Sequence, residues 1–140
     1  MLVSLTELMK DATAKNYAVG AFNATNLESL TASIRAAEEM GKPIILMLHV
    51  PLHVDSMVAD CTKVWGKDLG MGGDTGVCAW SPDVQRFYAA VAEDENSPVI
   101  AVFAGHVHFN HEDVLPNGIT QYITSTAYTG DCRVITVKGE

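Results

Sequence analysis

The sequence is poor in basic residues, in cysteine and in long apolar runs. It has 9 lysines and arginines against 17 acidic residues, and its net charge of −8 with no basic cluster argues against a nucleic-acid partner. Three cysteines without CxxC spacing favour reduced thiols over a disulfide framework. No apolar run approaches the roughly 20 residues of a membrane span, and the first residues lack the pattern of a signal peptide. We therefore expect a cytoplasmic protein with no membrane partner.

What the composition does contain is typical of a globular protein. Hydrophobic residues make up 48% of the chain and charged residues 19%. A length of 140 residues is enough for one domain with its own core. We predict a single α/β domain over residues 1–140.

The first fifty residues have the pattern of a βαβ unit. Capping boxes at 4–7 (SLTE) and 25–28 (TNLE) predict the starts of two helices. Apolar runs at 17–22 and 44–50 have the length and composition of buried strands, and we expect the second to be covered on both faces. A strand, a helix and a strand in this order form a parallel, right-handed unit.

The remainder of the chain predicts a loop, a helix and closing strands. Five glycines within 51–80 break any period, so we predict a long irregular loop there. Ser81 and the proline after it predict a helix start, and 98–104 (PVIAVFA) predicts a second buried strand. Asn117-Gly118 predicts a hairpin turn, and the alternation at 132–137 predicts a last antiparallel strand.

Three histidines follow the two strongest strands. His106 and His108 lie in a Gly-His-Val-His motif directly after the second strand, and on extended backbone their imidazoles project to the same side. His49 ends the strand at 44–50, so parallel pairing places it at the same sheet edge, where open α/β sheets bind ligands. Neutral imidazoles suit Zn, Mn, Fe or Ni. We predict a metal site formed by His49, His106 and His108. The alternative without a metal is that His49 is a core histidine at a strand end and that the other two are surface histidines in a loop.

The two other histidines have less context. Pro51 prevents a helical face shared between His49 and His53, and we interpret His53 as a loop residue. His111 stands beside two acidic residues, and we interpret that segment as a solvated polar turn.

Residues 44–137 resemble the C-terminal half of a calcineurin-like metallophosphoesterase. The resemblance is carried by HVPL at 49–52, by the glycine-rich loop and helix, and by PVIAVFAGHVHFN at 98–110. It implies half of a metallophosphoesterase sandwich and metal-dependent hydrolysis of a phosphorylated small molecule. It also implies that His49 and His106 hold one divalent ion and that His108 binds its neighbour.

The sequence departs from that family at most of its metal ligands. None of the family's DxH, GDxxD and GNH[DE] blocks is present. Asp74 follows a glycine, which matches the first two letters of the second block, but it lies after His49, out of order, and we interpret it as a turn residue. Without a bridging carboxylate, two dications would repel each other strongly. We therefore expect a single, weakly bound ion and weak or absent hydrolase activity.

Residues 1–46 resemble the opening of a class II fructose-bisphosphate aldolase. The resemblance lies in YAVGAFNATNLE at 17–28, in the AAEE that follows and in PIIL at 43–46. It implies the first βαβ of a TIM barrel, a zinc-dependent lyase and a substrate-binding role for Asn23. No residue matches the family's catalytic Asp or its zinc-binding histidines, and the alternative for Asn23 is a polar turn residue.

The two resemblances meet inside the apolar strand at 44–50, which divides the chain into segments 1–46 and 47–140. Three hypotheses follow: a metallophosphoesterase-like domain with weak or no activity, a class II aldolase-like fragment, and a non-catalytic chimeric or truncated protein. An incompletely covered sheet also leads us to expect association with a second copy.

Overall fold

The structure is a computed structural model that describes residues 5–16, 27–72 and 80–134. The chain divides into two compact units, one formed by 1–24 with 133–140 and the other by 25–132. In the first unit, helix α1 spans Leu5–Lys15, as the capping box predicts, and Lys15 pairs with Asp11 one turn earlier at 3.0 Å. Within the described ranges, no helix is long and apolar enough to cross a membrane.

The second unit combines three helices with a four-stranded sheet. The helices are α2 (Leu27–Met40), α3 (Asp55–Trp65) and α4 (Pro82–Tyr88), and α4 continues as a π-helical turn over Ala89–Glu93. The strands are β1 (Ile44–Met47), β2 (Val99–Ala104), β3 (His111–Val114) and β4 (Thr120–Ile123). A short 3₁₀ helix, Ala127–Thr129, follows β4.

The sheet order is β1-β2-β4-β3. The strand β2 is parallel to both β1 and β4, and β3 pairs antiparallel with β4. The hairpin turn predicted at Asn117-Gly118 joins β3 to β4, and Gly118 has the left-handed φ of 88° that favours glycine there. The predicted fold class, an α/β domain with parallel central strands and a closing antiparallel pair, is confirmed.

Helix α3 corrects the prediction of a loop throughout 51–80. No glycine lies within Asp55–Trp65, and Met57 and Cys61, four residues apart, are both fully buried. Gly66 ends the helix in the left-handed conformation, with φ of 72°. The five glycines that suggested a loop all follow the helix, so they mark where it ends.

Two other expectations need correction. The first is the closing strand predicted at 132–137: its described part, 132–134, is not a strand, and its remainder lies outside the described residues. The strand predicted at 17–22 also lies outside the described residues. The expected coverage of β1 on both faces is also not found among the described residues, because Met47 is 80% exposed. The helices cover one face of the sheet: α2, α4 and α3 pack on the side that carries Leu46, Val102 and Ile123.

The burial of α3 makes a prediction about thiol reactivity. Cys61 is fully buried with its Sγ 3.3 Å from Met57 Sδ, and burial raises the pKa of its thiol, whereas Cys132 is exposed. In a Cys78→Ser background we expect iodoacetamide at pH 8 to label Cys132 at least about tenfold faster than Cys61, because the thiolate is the reactive form. Peptide mass spectrometry measures both rates. Equal rates in the folded protein, with the same ratio in urea, would contradict the burial of Cys61.

Candidate metal-binding edge

The carboxyl ends of β1 and β2 bring two of the predicted histidines together. Pairing continues past the strands, since Leu48 N–H donates to Phe103 O at 2.8 Å and Gly105 N–H donates to His49 O at 3.2 Å. His49 and His106, which each lie two residues beyond a strand end, are thereby held side by side. His106 Nδ1 lies 3.1 Å from His49 Nε2, and the two rings meet edge to face with centroids 4.9 Å apart.

The third predicted histidine takes a different direction. His106 and His108 have φ of 66° and 61°, so the motif is a left-handed turn and the expectation of extended backbone is wrong. The exposed ring of His108 contacts Trp65 and Tyr128, with centroids 5.9 and 6.1 Å away. In the portion of the chain that the structure describes, no three His, Cys, Asp or Glu side chains are arranged to hold a metal ion.

The surroundings of the turn favour the neutral form of His106. Burial lowers the pKa of His106, and the neighbouring His49 and His108 lower it further. Its Nε2 is also buried without a hydrogen-bond partner among the described residues. A neutral imidazole has a free lone pair, which is the form that binds a metal ion.

The donor set fits one ion better than two. Two nitrogens bound to one zinc ion at about 2.0–2.1 Å lie on the order of 2.9–3.4 Å apart, and the observed separation of the two imidazole nitrogens is 3.1 Å. The same distance also suits one N–H···N hydrogen bond between the rings. Because no carboxylate joins the pair in the described ranges, the edge offers two ligands for one ion and no bridge for a second.

His53 is the loop residue that the sequence suggests, and both its backbone and its side chain have partners. Its backbone N–H donates to Met71 O at 2.8 Å, and Tyr88 Oη donates to its carbonyl at 2.9 Å. Its Nδ1 lies 3.4 Å from the buried carboxylate of Asp68, and its Nε2 lies 3.6 Å from Asp55. These contacts fix the segment between β1 and α3.

His111 does not lie in a solvated turn, which corrects the sequence interpretation. It begins β3, its side chain is 14% exposed, and its ring nitrogens lie 3.0 Å from Asp60 and 2.9 Å from Asp113. Ser56 donates a further hydrogen bond to Asp113. The pKa of Asp60 is held below its usual value, chiefly by the hydrogen bond from Lys63, with a contribution from His111. The two carboxylates approach opposite nitrogens of one ring, so they join α3 to β3 and do not converge on a metal.

Two other residues singled out by the sequence, Asn23 and Asp74, lie outside the described residues. Trp65 and Ser125, in contrast, contact the turn and carry no sequence signal. Trp65 follows no motif, and its indole partner, Val107 O, is 42 residues away. Ser125 reaches His108 O across 17 residues.

The N-terminal half of the chain is similar to a known protein family. Residues 3–71 match the family model of class II fructose-bisphosphate aldolase. The match covers residues 3–46 of the aldolase-like segment predicted at 1–46 and continues through α3.

Curated relatives match the same front segment. Fructose-bisphosphate aldolase from Thermus caldophilus is 50% identical over 48 residues, which are 34% of this chain and 16% of that protein. A probable fructose-bisphosphate aldolase from Bacillus subtilis (strain 168) is 53% identical over 45 residues, which are 32% of this chain and 16% of that protein. The chain therefore spans about a sixth of the length of these relatives.

A solved structure of a dimetal phosphatase from Danio rerio is also similar. The TM-score is 0.44 at 17% identity, and the alignment covers 76% of this chain and 27% of the phosphatase. The aldolase resemblance noted in the sequence thus has a counterpart among known proteins.

Proposed function

We propose that the edge formed by His49 and His106 binds one divalent metal ion weakly and supports slow, metal-dependent hydrolysis of a phosphorylated small molecule. The observation that carries the proposal is the 3.1 Å separation of two imidazole nitrogens at the carboxyl end of a parallel strand pair. The lowered pKa of His106 supports it, because the neutral ring keeps its lone pair near pH 7.

In this proposal the three histidines have different roles. His49 and His106 would hold the ion, which when bound supplies Lewis-acid stabilisation of a phosphoryl oxygen. His108 follows on the same turn with an exposed side chain, and in this proposal it would contact the phosphate of a substrate. We expect a low rate because no carboxylate completes the ligand set in the described residues.

The proposal is tested by metal-dependent hydrolysis of p-nitrophenyl phosphate. With Mn²⁺ or Ni²⁺ supplied, we expect His106→Ala and His49→Ala to lower the rate at least about tenfold, since each removes one of two ligands. His53→Gln is the matched control, because that imidazole contacts Asp68 and Asp55 instead. A wild-type rate no higher than that of the His106→Ala variant would overturn the proposal.

A second candidate is lyase activity, which the match of residues 3–71 to the aldolase family favours. It predicts triose phosphate released from fructose 1,6-bisphosphate with zinc supplied, and a reduced rate in Asn23→Ala. A coupled dehydrogenase assay measures the product. Absence of triose phosphate at high enzyme concentration would remove this candidate and leave the hydrolase proposal unaffected.

A further inference from the structure

The Gly-His-Val-His turn adopts a conformation that its residues disfavour. His106 and His108 are both left-handed, and neither is glycine. Backbone of this kind persists where surrounding contacts determine it, and such places are often functional. The contacts that hold the turn are therefore part of what keeps His106 against His49.

Trp65 contacts the turn at its centre. The indole Nε1–H of Trp65 donates to Val107 O at 2.8 Å, and Val107 lies between the two left-handed histidines. This hydrogen bond fixes the peptide plane that joins Val107 to His108. The Val107 side chain is fully buried, so the turn is held from the core and from Trp65 together.

The position of Trp65 is itself well determined. It is the last residue of α3, where Gly66 N–H closes the helix on Thr62 O at 3.0 Å. Earlier in the same helix, Asp60 lies 3.0 Å from His111 of β3. Trp65 is 46% exposed, so burial alone does not account for a tryptophan here. It contacts the turn through the hydrogen bond to Val107 O and through edge-to-face packing of its ring on His108.

We propose that Trp65 is a positioning residue of the candidate site: its indole N–H, through Val107 O, holds the left-handed turn that keeps His106 beside His49. The effect of Trp65 on the arrangement of His49 and His106 is argued from the geometry alone. An effect of Trp65 on metal affinity rests on the proposed function.

The test compares Trp65→Phe, which keeps an aromatic ring and removes the N–H, with Trp80→Phe, the same change at a tryptophan that contacts His53 and Tyr88. Without metal, long-range ¹H–¹⁵N spectra report the imidazole nitrogens. We expect distinct protonated and bare nitrogens for the His49–His106 pair in the wild type, and signals averaged toward free imidazole in Trp65→Phe. Mn²⁺ affinity should fall about fivefold, the value of one neutral hydrogen bond. Trp80→Phe should change neither.

A double-mutant cycle separates positioning from general stability. Glycine accepts a left-handed φ without cost, so in a His108→Gly background the effect of Trp65→Phe on the imidazole signals should shrink. Sheet amide signals confirm folding in each variant. Unchanged imidazole signals in Trp65→Phe, an equal change in Trp80→Phe, or an undiminished effect beside His108→Gly would each overturn the proposal. If the wild type binds no Mn²⁺, the proposed function fails, and the imidazole signals still decide the role of Trp65.

Discussion

Replacing Gln121 with leucine should lower the free energy of unfolding by about 2–6 kcal/mol, since it leaves two buried polar groups without a partner and each costs about 1–3 kcal/mol. Gln121 lies in β4 and is fully buried. Its Oε1 accepts a hydrogen bond from Leu52 N–H at 2.7 Å, and its Nε2 donates to Leu52 O at 3.0 Å. Leucine fills a similar volume but leaves both backbone groups of Leu52, itself fully buried, without these partners.

The control is Gln85→Leu, the same substitution at an exposed position of α4. Surface changes of this kind usually stay within about 0.5 kcal/mol. Urea denaturation followed by circular dichroism gives both free energies, and equal m-values show that the unfolded states are comparable. A loss at position 121 no larger than that at position 85 would show that Leu52 finds other partners.

The role of Gln121 also links the fold to the candidate edge. Leu52 lies three residues after His49, and its amide contact with β4 spans 69 residues of sequence. Met71 N–H closes the same segment by donating to Pro51 O at 2.7 Å. The position of His49 therefore depends on contacts from β4 as well as on β1.

The sequence predicts those features that local chemistry controls. Asn117-Gly118 predicts its hairpin because few residues accept the backbone of that turn. The meeting of His49 with His106 is predictable because parallel strands align their carboxyl ends, so it requires only that 44–50 and 98–104 be neighbours.

Features that depend on distant partners could not be predicted in this way. The left-handed backbone of His108 is disfavoured for its residue type and is held by Trp65 and Ser125, which are far away along the chain. Likewise, His111 looks solvated until α3 is placed beside it. Helix α3 is not predicted because the five glycines from Gly66 onward dominate the composition of the segment 51–80.

Replacing Gly72 with alanine is expected to lower the free energy of unfolding by about 2–5 kcal/mol, the sum of a left-handed residue and an overpacked contact. Gly72 has φ of 98°, and a Cβ there would lie 2.8 Å from Cη2 of Trp80. Trp80 also packs edge to face on Tyr88, with centroids 5.3 Å apart. The indole would have to leave this position for alanine to fit.

Gly130→Ala separates the two causes. Gly130 has a similar φ of 86°, but a Cβ there meets nothing within 4 Å, so its loss should be only the conformational cost of about 1–2 kcal/mol. The chain has two tryptophans, so in a Trp65→Phe background all tryptophan fluorescence comes from Trp80. We expect the emission of Trp80 to shift to longer wavelength in Gly72→Ala and to stay unchanged in Gly130→Ala. Equal free-energy losses and unshifted emission in both variants would mean that Trp80 does not pack against Gly72.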